Sequence, residues 1–440
     1  MRLLKFASYA FDLILVTAGF LAFIPDFFDT GGFLVYLSLI ILSAALFQLF
    51  GLYEQRLEQK AGGIVISTVL AVVSMLVIAG IAAYLQTGNI YIQNWWKTGL
   101  FLIVTIAVSH SLFQFWQRKL HGQKQILLIE AKEQVSSLMI EKLWQSQWYR
   151  IKHILPLDKL DQLLSKLSDV DIVMIPSAVT NKNGIIKMAM SEGKEVRIVP
   201  DSTDLFIWSS RIRQMDDVML LALRPLGLNG PQRVAKRIID LMAAGLLLVV
   251  LSPFFLLLWL LIPLTSKGPA LFKQERLGKD QVPIQVYKFR SMVADAEKYT
   301  GPVLALERDP RITKLGRFMR ASRLDEIPQL LNVLAGDMSL IGPRPERQFF
   351  VTQFEADNPN YSYRFAVRPG ITGLAQVMGN YVSMPEEKLR FDLMYIQKYS
   401  LLMDIKIMIQ TVHTVLHKEQ ASGIKNGEKI DRIDKNQIWM

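Results

Sequence analysis

The sequence predicts a membrane protein in three parts: an α-helical membrane bundle over residues 1–118, a Rossmann-like α/β domain over 119–224, and a mostly α (α+β) domain over 225–440. Apolar runs of about 20 residues crowd the first quarter of the chain, strand and helix patterns alternate after them, and another long apolar run opens the last part. The net charge of +11 falls wholly beyond residue 116, because basic and acidic side chains balance before it.

Four early stretches are long and apolar enough to cross a bilayer core of about 30 Å, which needs roughly 20 helical residues. Basic residues precede the first stretch, lie in the second loop and follow the fourth, so the positive-inside rule places both ends of the bundle in the cytoplasm. An unusually apolar soluble bundle is the disfavoured alternative, because soluble cores rarely use uncharged runs of this length. The stretches are Phe6–Ile24, Gly32–Leu52, Ala61–Leu85 and Thr98–Trp116.

Residues 125–201 alternate between strand and helix patterns, which predicts a parallel sheet with helical crossovers. A dinucleotide-binding fold of this kind needs a glycine-rich turn after its first strand, so that the backbone can approach a pyrophosphate. No glycine occurs between Gly122 and Gly184, so a structural or regulatory domain is favoured. The predicted strands are Gln125–Glu130, Arg150–Leu155, Asp171–Ile175 and Glu195–Val199, and the predicted helices are Glu133–Gln147, Leu157–Leu167 and Lys182–Met190.

A fifth apolar run, Leu241–Leu264, has the length of another transmembrane helix. Ser252-Pro253 lies in its middle, where proline removes one helical hydrogen bond and serine can cap a freed backbone group. A break there predicts a re-entrant helix over about 233–264 that enters and leaves through the same leaflet. The basic residues that precede the run would then lie at the anionic membrane surface; they are Arg233, Lys236 and Arg237.

The composition excludes several kinds of chemistry. The chain has no cysteine, which rules out disulfide scaffolds, thiolate zinc sites and cysteine nucleophiles. It has five histidines, with none between His153 and His413. His413 and His417 are spaced i, i+4, but no third ligand stands near them in the sequence, so a packed or solvated pair is favoured over a zinc site.

Residues suited to phosphate chemistry are dense in the last part. Pro328 is tolerated only in the first turn of a helix, so the pair Asp325-Glu326 is predicted at the N-terminus of a helix that runs to Leu334. An ionised Asp325 beside a divalent metal fits that position, and an N-cap aspartate with a solvated glutamate is the alternative. Arg344 and Arg368 lie on Pro/Gly-rich loops, where a forked guanidinium suits a diphosphate and a surface cation is the alternative.

Taken in order, the motifs of residues 230–418 resemble the bacterial sugar transferase family, the monotopic phosphoglycosyl transferases or undecaprenyl-phosphate hexose-1-phosphate transferases. The two preceding parts are similar to the large, polysaccharide-initiating branch of that family. The motifs are Lys236-Arg237-x-x-Asp240, Ser252-Pro253, Tyr287-Lys-Phe-Arg290, Leu324-Asp-Glu-Ile-Pro-Gln329, Gly336-Asp-Met-Ser through Gly342-Pro-Arg-Pro345, Arg368-Pro-Gly-Ile-Thr-Gly373, and Asp392-Leu-Met-Tyr395 with Ser400 and Asp404.

The resemblance implies an enzyme in which Asp325 attacks the β-phosphate of a UDP-sugar, with UDP-glucose or UDP-galactose the commonest donors in the family, and releases UMP. Undecaprenyl phosphate would then accept the hexose-1-phosphate from the aspartate. Glu326 would assist as a general base or metal partner, with Mg2+ as the cofactor and Asp392 as a further metal ligand or base. The substrate phosphates would be bound by Lys288, Arg290, Arg344, Arg368 and Arg276.

The resemblance also implies a multi-pass protein of the bacterial inner membrane that begins exopolysaccharide, capsule or O-antigen synthesis. Its catalytic domain would face the cytoplasm, where nucleotide sugars are found, and a spanning Leu241–Leu264 would carry Asp325 to the wrong face. A homodimer and contact with membrane lipid are predicted, and nucleic-acid binding is disfavoured because no such module is recognisable. The alternative is a non-catalytic membrane regulator or assembly protein of polysaccharide synthesis with a degenerate transferase domain.

Overall fold

The computed structural model describes residues 2–24, 32–53, 61–87, 94–130, 140, 143, 144, 146, 148–177, 179–293, 309–378 and 384–416. The chain divides into two compact units. One contains the N-terminal helices and most of a four-stranded sheet, and the other contains everything from Ile198 onward. The predicted helical N-terminal region and α/β region are both confirmed.

The N-terminal helices share one apolar core, in which Phe20, Met75 and Leu102 are fully buried. Two of their stretches, Gly62–Leu85 and Trp95–Gln117, are long and apolar enough to cross a bilayer, whereas Ser8–Phe23 and Leu37–Leu49 are shorter apolar stretches within the described residues. Membrane association is therefore confirmed, and the number of four crossings stays a prediction. The helices are α1 (Arg2–Phe23), α2 (Gly32–Leu49), α3 (Ala61–Thr87) and α4 (Trp95–His121).

A hydrogen-bonded histidine–aspartate pair is buried inside these helices. His110 Nε2 lies 2.8 Å from Asp12 Oδ2, and both residues are almost fully buried. Asp12 is the single charge in the first apolar stretch, and a charge among apolar helices is costly unless it has a partner. The pair explains how α1 accommodates Asp12, and it ties α1 to α4.

The sheet has the strand order β2-β1-β3-β4. β1 pairs in parallel with β2 and β3, and Ile126 lies opposite Ile151 and Ile172. The predicted βα alternation is thus confirmed, although most of the predicted helix Glu133–Gln147 lies outside the described residues. The elements are β1 (Lys124–Glu130), β2 (Tyr149–Pro156), a 3-10 segment (Leu157–Gln162), α5 (Leu163–Leu167), β3 (Ile172–Pro176), α6 (Lys182–Ser191) and β4 (Glu195–Val199).

The second unit begins with α7 (Ser202–Trp208), which packs on the C-terminal domain. Ser209 Oγ donates a hydrogen bond to Gln397 Oε1 at 3.0 Å, and the Phe206 ring lies 5.5 Å from that of Tyr363. An antiparallel hairpin that is exposed along both strands follows, formed by β5 (Arg211–Met215) and β6 (Val218–Ala222).

The C-terminal domain has one apolar core, to which Phe289, Val333 and Leu393 contribute fully buried side chains. β7 and β8 pair antiparallel, and β9 and β10 pair parallel. The elements are α8 (Gly230–Thr265), β7 (Leu271–Leu277), β8 (Pro283–Phe289), α9 (Lys314–Ala321), α10 (Gln329–Ala335), β9 (Ser339–Ile341), α11 (Gln348–Asp357), a 3-10 segment (Pro359–Ala366), β10 (Gly370–Thr372), α12 (Leu374–Met378), α13 (Pro385–Gln397) and α14 (Leu401–Leu416).

α8 is a helical element of 36 residues that is long and apolar enough to cross a membrane. Ser252 Oγ donates a hydrogen bond to Val249 O at 2.7 Å. In a regular helix this carbonyl would accept from the N–H of residue 253, which is a proline and has none. Ser252 therefore caps the carbonyl group that Pro253 leaves free, as the sequence predicted, whereas the re-entrant bend stays a prediction.

One face of α8 packs on the domain core on both sides of Pro253. Asp240 and Ala244 are buried before the proline, and Leu258 and Ile262 are buried after it. Intervening residues that are partly buried against the same core are Leu248, Leu251 and Phe255. Most other apolar side chains of α8 are exposed, as expected for a helix in contact with lipid.

The first turns of α8 are anchored by buried charges. Lys236 Nζ lies 2.8 Å from Asp404 Oδ2, with its side chain only 10% exposed. Arg237 donates hydrogen bonds at 2.6 and 3.0 Å to the last carbonyl groups of α10, those of Val333 and Leu334. Lys236 and Arg237 thus bind partners within the domain, whereas Arg233 is exposed, and the placement of these three residues at the membrane surface stays a prediction.

Lys236→Met should destabilise the C-terminal domain, because it leaves Asp404 buried without its cation. We expect the free energy of unfolding to fall by about 3–5 kcal/mol, the usual cost of breaking a buried ion pair. Thermal unfolding in detergent measures the effect as a lower Tm. Arg233→Met, which removes an exposed cation one turn earlier, is the matched control and should leave the Tm nearly unchanged; equal, small shifts in both variants would contradict the anchor.

Candidate active site

Asp325 and Glu326 lie together in one 3-10 turn, Leu324–Glu326. Arg323, just before the turn, has a φ of 58°, in the left-handed region that arginine rarely adopts. α10 begins only at Gln329, with Pro328 at its N-cap. Ile327 and Pro328, which join the turn to α10, both have helical backbone dihedrals, so the carboxylates lie in a 3-10 turn that leads into the N-terminus of the helix.

Three cations surround the carboxylate of Glu326. Its Oε1 lies 2.8 Å from Arg344 Nη2, 3.3 Å from Lys288 Nζ and 3.9 Å from Arg323 Nη1. Asp325 and Glu326 are each only 8% exposed. We call these five residues the charged cluster. Its three cations exceed its two carboxylates, so the cluster suits an anionic ligand.

The two carboxylates differ in their pKa values. Burial alone would raise the pKa of Glu326, but Arg344, Lys288 and Arg323 outweigh burial and hold that pKa well below its usual range. Burial, followed by the charge of Glu326, raises the pKa of Asp325 to about 6. Glu326 is therefore ionised at neutral pH, and Asp325 changes its protonation state close to neutrality.

Asp325 Oδ1 is buried and has no hydrogen-bond partner among the described residues. Buried polar atoms are nearly always paired, and an unpaired carboxylate oxygen is costly. Such atoms concentrate at functional sites, because an unpaired oxygen remains available to a ligand. This oxygen is suited to attack an electrophile or to bind a metal ion.

Lys288 comes from β8, which α10 holds in place. Asn332 Oδ1 accepts from the N–H of Tyr287 at 3.0 Å, and Asn332 Nδ2 donates to Gln285 O at 2.7 Å. Asn332 is fully buried. The helix that follows the carboxylates therefore also sets the position of the strand that carries Lys288.

Arg344 comes from a loop that β9 and β10 hold against a second loop. The Gly342 N–H donates to Thr372 O, and the Gly370 N–H donates to Pro343 O, both at 2.9 Å. A Cβ atom on Gly370 would lie 2.1 Å from Gly342 N, so only glycine permits this approach. Two Pro/Gly motifs that are distant in the sequence therefore form one support for Arg344.

A buried arginine, Arg364, also stabilises the Arg344 loop by a hydrogen bond to its backbone. Arg364 is 3% exposed, and its Nη2 donates to Arg344 O at 3.0 Å. The same nitrogen lies 2.8 Å from Asp392 Oδ2, and Nη1 donates to the hydroxyl of Tyr361. Asp392 is therefore paired with Arg364 and acts on Arg344 through it.

Arg290 is not part of the charged cluster. Its Nη2 donates to Ser266 O at 2.7 Å, and its Nη1 donates to Lys267 O. Arg290 is only 9% exposed. The structure thus places this predicted phosphate ligand at the end of α8, where it binds backbone carbonyl groups.

Arg276 and Arg368 both lie close to the Arg344 loop. Arg276 Nη1 donates to Pro345 O at 3.3 Å and lies 3.3 Å from Glu346 Oε2. Arg368 is half-buried in the segment that pairs with β9, and the following Pro369 accepts a hydrogen bond from Ser339. Both arginines therefore stand next to the loop, and their contact with substrate stays a prediction.

The predicted metal set is not brought together. Within the ranges that the structure describes, no three His, Cys, Asp or Glu side chains form a group that could hold a metal ion. Asp392 pairs with Arg364 and Glu326 with cations, so Asp325, Glu326 and Asp392 do not form a three-carboxylate centre. Mg2+ is commonly held by one or two carboxylates together with substrate phosphates, and the carboxylate of Asp325 fits that mode.

The support given by Arg364 was missed by sequence reasoning. Its segment, Pro359–Ala366, matches no motif, and the carbonyl it binds is 20 positions away. No local pattern shows such a contact. A polar residue flanked by the aromatic residues Tyr363 and Phe365 was the only signal, and it does not identify a partner.

The bacterial sugar transferase family matches residues 231–418. The UDP-glucose:undecaprenyl-phosphate glucose-1-phosphate transferase of Caulobacter vibrioides is 44% identical over 214 residues, which cover 46% of this chain and 78% of that protein. The chain belongs to the bacterial sugar transferase family. The matched segment of this bacterial sugar transferase contains the whole charged cluster.

Two other relatives name different sugars. The UDP-N-acetylgalactosamine-undecaprenyl-phosphate N-acetylgalactosaminephosphotransferase of Aeromonas hydrophila is 44% identical over 184 residues, 41% of this chain and 43% of that protein. The UDP-glucose:undecaprenyl-phosphate glucose-1-phosphate transferase of Escherichia coli K12 is 40% identical over 223 residues, 49% and 48% of the two chains. This bacterial sugar transferase thus spans about half the length of these two relatives, and membership of the family leaves the sugar open.

Proposed function

We propose that this protein transfers a hexose-1-phosphate from a UDP-sugar to undecaprenyl phosphate. The charged cluster carries the proposal: a buried aspartate with an unpartnered oxygen stands beside a glutamate that faces three cations. The three relatives are named for transfers from UDP-sugars to undecaprenyl phosphate, and the cluster lies inside the segment that matches the bacterial sugar transferase family.

In the first step, Asp325 Oδ1 attacks the β-phosphorus of the UDP-sugar. A bond forms between this oxygen and the β-phosphorus, and the bond from that phosphorus to the bridging oxygen breaks. The bridging oxygen leaves with the electron pair as part of UMP. The sugar-phosphate is then held on Asp325 as an acyl phosphate.

In the second step, a phosphate oxygen of undecaprenyl phosphate attacks the same phosphorus. The bond from phosphorus to Asp325 breaks, and the aspartate leaves as a carboxylate with the electron pair. Undecaprenyl-diphospho-sugar is the product, and Asp325 returns to its starting state. The reaction would begin the synthesis of an exopolysaccharide, capsule or O-antigen.

The cations of the cluster stabilise the charge that develops on the phosphoryl oxygens. Lys288 and Arg344 are held by Glu326, so their positions are fixed before the substrate arrives. Arg344 presents a planar fork of donors that suits two phosphoryl oxygens. Mg2+ would be held by Asp325 with Glu326 beside it, and when bound it would neutralise part of the diphosphate charge.

We further propose that α8 is re-entrant and that the transferase domain lies on the cytoplasmic face of the bacterial inner membrane. Contacts of α8 with one domain core on both sides of Pro253 support this. A straight helix of 36 residues would be about 54 Å long. If α8 crossed the membrane as such a helix, its second half would lie away from the domain core. A re-entrant path keeps Asp325 on the side where nucleotide sugars are found.

The rate of the first step should rise with pH through about 6. Asp325 attacks only when it is ionised, and its pKa is raised to about 6, so protonation removes the nucleophile below that value. The charge of Glu326 contributes to this raised pKa, so Glu326→Gln should shift the acidic limb to lower pH. The pH profile of kcat/KM for the UDP-sugar measures both effects, and an acidic limb that Glu326→Gln leaves unmoved would contradict the assignment.

Membranes that contain the protein provide the test of function. They are incubated with undecaprenyl phosphate and with UDP-glucose, UDP-galactose or UDP-N-acetylgalactosamine, and UMP and lipid-linked sugar are measured. We expect equal amounts of both products, with glucose or galactose as the preferred sugar. Absence of UMP with every donor would reject the transferase and favour the non-catalytic membrane regulator.

A further inference from the structure

An apolar cavity of about 200 Å³ lies next to the charged cluster. Glu326 and Arg323 form its charged part, and Arg323 is the single cation of its lining within the described ranges. Most of the remaining wall comes from α8, α10, β10, α12 and α14, with Leu251, Leu330 and Val377 among the lining residues. A mostly apolar space therefore touches the turn that carries the proposed nucleophile.

Most polar side chains of the cavity wall form hydrogen bonds with other groups of the protein. The hydroxyl groups of Thr372 and Thr411 lie 2.7 Å apart in a hydrogen bond, and Gln376 Nε2 donates to Ile371 O at 3.2 Å. Gln376 Oε1 has no hydrogen-bond partner in the part of the chain that the structure describes. One amide oxygen does not match a sugar ring, which offers several hydroxyl groups, so the wall favours an apolar occupant.

The cavity is continuous with the apolar surface of α8. Leu247 and Leu251 line the cavity, whereas Leu246 and Val250, on the same turns, are 66% and 60% exposed. α8 is the one helix of the C-terminal domain, within the described residues, that is long and apolar enough for a bilayer. A hydrocarbon chain in the membrane can therefore pass along α8 to the charged cluster without crossing water.

We propose that this cavity binds the first isoprene units of the acceptor, with the phosphate of the acceptor beside Arg323. The inference rests on the proposed function and adds a site for one of its two substrates. Charge complementarity supports this occupant, because a polyprenyl phosphate joins an anionic group to an apolar chain as the cavity joins Arg323 to an apolar wall. Arg323 is the most weakly held cation of the charged cluster, since its nitrogen lies 3.9 Å from Glu326 Oε1 and its side chain is 37% exposed, so it is accessible to such a phosphate.

Thr414→Trp tests the site by filling the cavity from α14. Thr414 is a half-buried lining residue, and an indole ring there would occupy the space of the isoprene units. We expect kcat/KM for undecaprenyl phosphate to fall about tenfold or more, as the loss of a few buried methylene groups predicts. The value for dimethylallyl phosphate, which has a single isoprene unit, should change much less, so the preference for the long acceptor should shrink.

Val412→Trp is the matched control on the same helix. Val412 is 49% exposed and does not line the cavity, so this variant should keep the wild-type preference. UMP release from the UDP-sugar without acceptor should be unchanged in both variants, which shows that each is folded and that the proposed function holds. The acceptor site would be refuted if Thr414→Trp raised the KM for the UDP-sugar or left the acceptor preference unchanged. If the wild-type protein released no UMP, the proposed function would be refuted, and the acceptor site with it.

Discussion

Asp325→Asn should slow the release of UMP by about four to six orders of magnitude, the range seen when an enzyme loses its nucleophile. The amide keeps the shape of the side chain but lacks the anionic oxygen that attacks phosphorus. Asp325 is buried with an unpaired oxygen, so the neutral amide should not weaken the fold. We therefore expect a variant with wild-type Tm and no turnover.

Steady-state UMP release and thermal unfolding, measured on the same preparations, check both parts of this expectation. Asp357→Asn is the matched control, because Asp357 is an exposed aspartate at the end of α11 in the same domain. It should keep full activity. Normal turnover by Asp325→Asn would refute the covalent mechanism.

Arg344→Ala should lower kcat/KM for the UDP-sugar by about 10²- to 10³-fold, the usual loss when one donor to a developing charge is removed. Arg344 is the cation closest to Glu326, at 2.8 Å. Without it, the diphosphate loses a forked donor, and the pKa of Glu326 loses the strongest of the charges that lower it. Initial rates at varied UDP-sugar concentration measure the loss.

Two further variants test whether the loss in Arg344→Ala comes from the position and the planar fork of Arg344 or from its charge alone. Arg344→Lys restores the charge but not the planar fork, so we expect only partial recovery. Arg224→Ala removes an exposed arginine of the second unit that contacts none of the charged cluster, and it should behave as wild type. If both Arg344→Ala and Arg224→Ala lowered kcat/KM equally, the loss would come from the reduced net charge of the protein and not from the position of Arg344.

Local patterns account for what the sequence predicted correctly. β1 and β4 agree with their predicted bounds to within one residue, because short apolar strands between turns are set by neighbouring residues. The cap on Val249 was predictable for the same reason, since Ser252 and Pro253 are adjacent and the acceptor is one turn away. The pair Asp325-Glu326 stood out through its motif, and its burial agrees with a functional role.

Long-range contacts account for what the sequence missed. Lys236 resembled a membrane-surface cation, because a basic residue before an apolar run has the same pattern in both settings. Its partner Asp404 is 168 positions away, and only the folded chain shows the pair. The pairing of Asp392, implied by the resemblance as a further metal ligand or base, was not predicted for the same reason, since its partner Arg364 belongs to a segment without a motif.

The central claim is that the sugar-phosphate is carried on Asp325. Purified protein is mixed with the UDP-sugar in the absence of acceptor, digested at low pH and examined by mass spectrometry. We expect UMP in an amount equal to the protein and a hexose-phosphate adduct on the peptide that contains Asp325, and undecaprenyl phosphate should remove this adduct. An adduct on another residue, or UMP release that requires the acceptor and leaves no adduct, would contradict the claim.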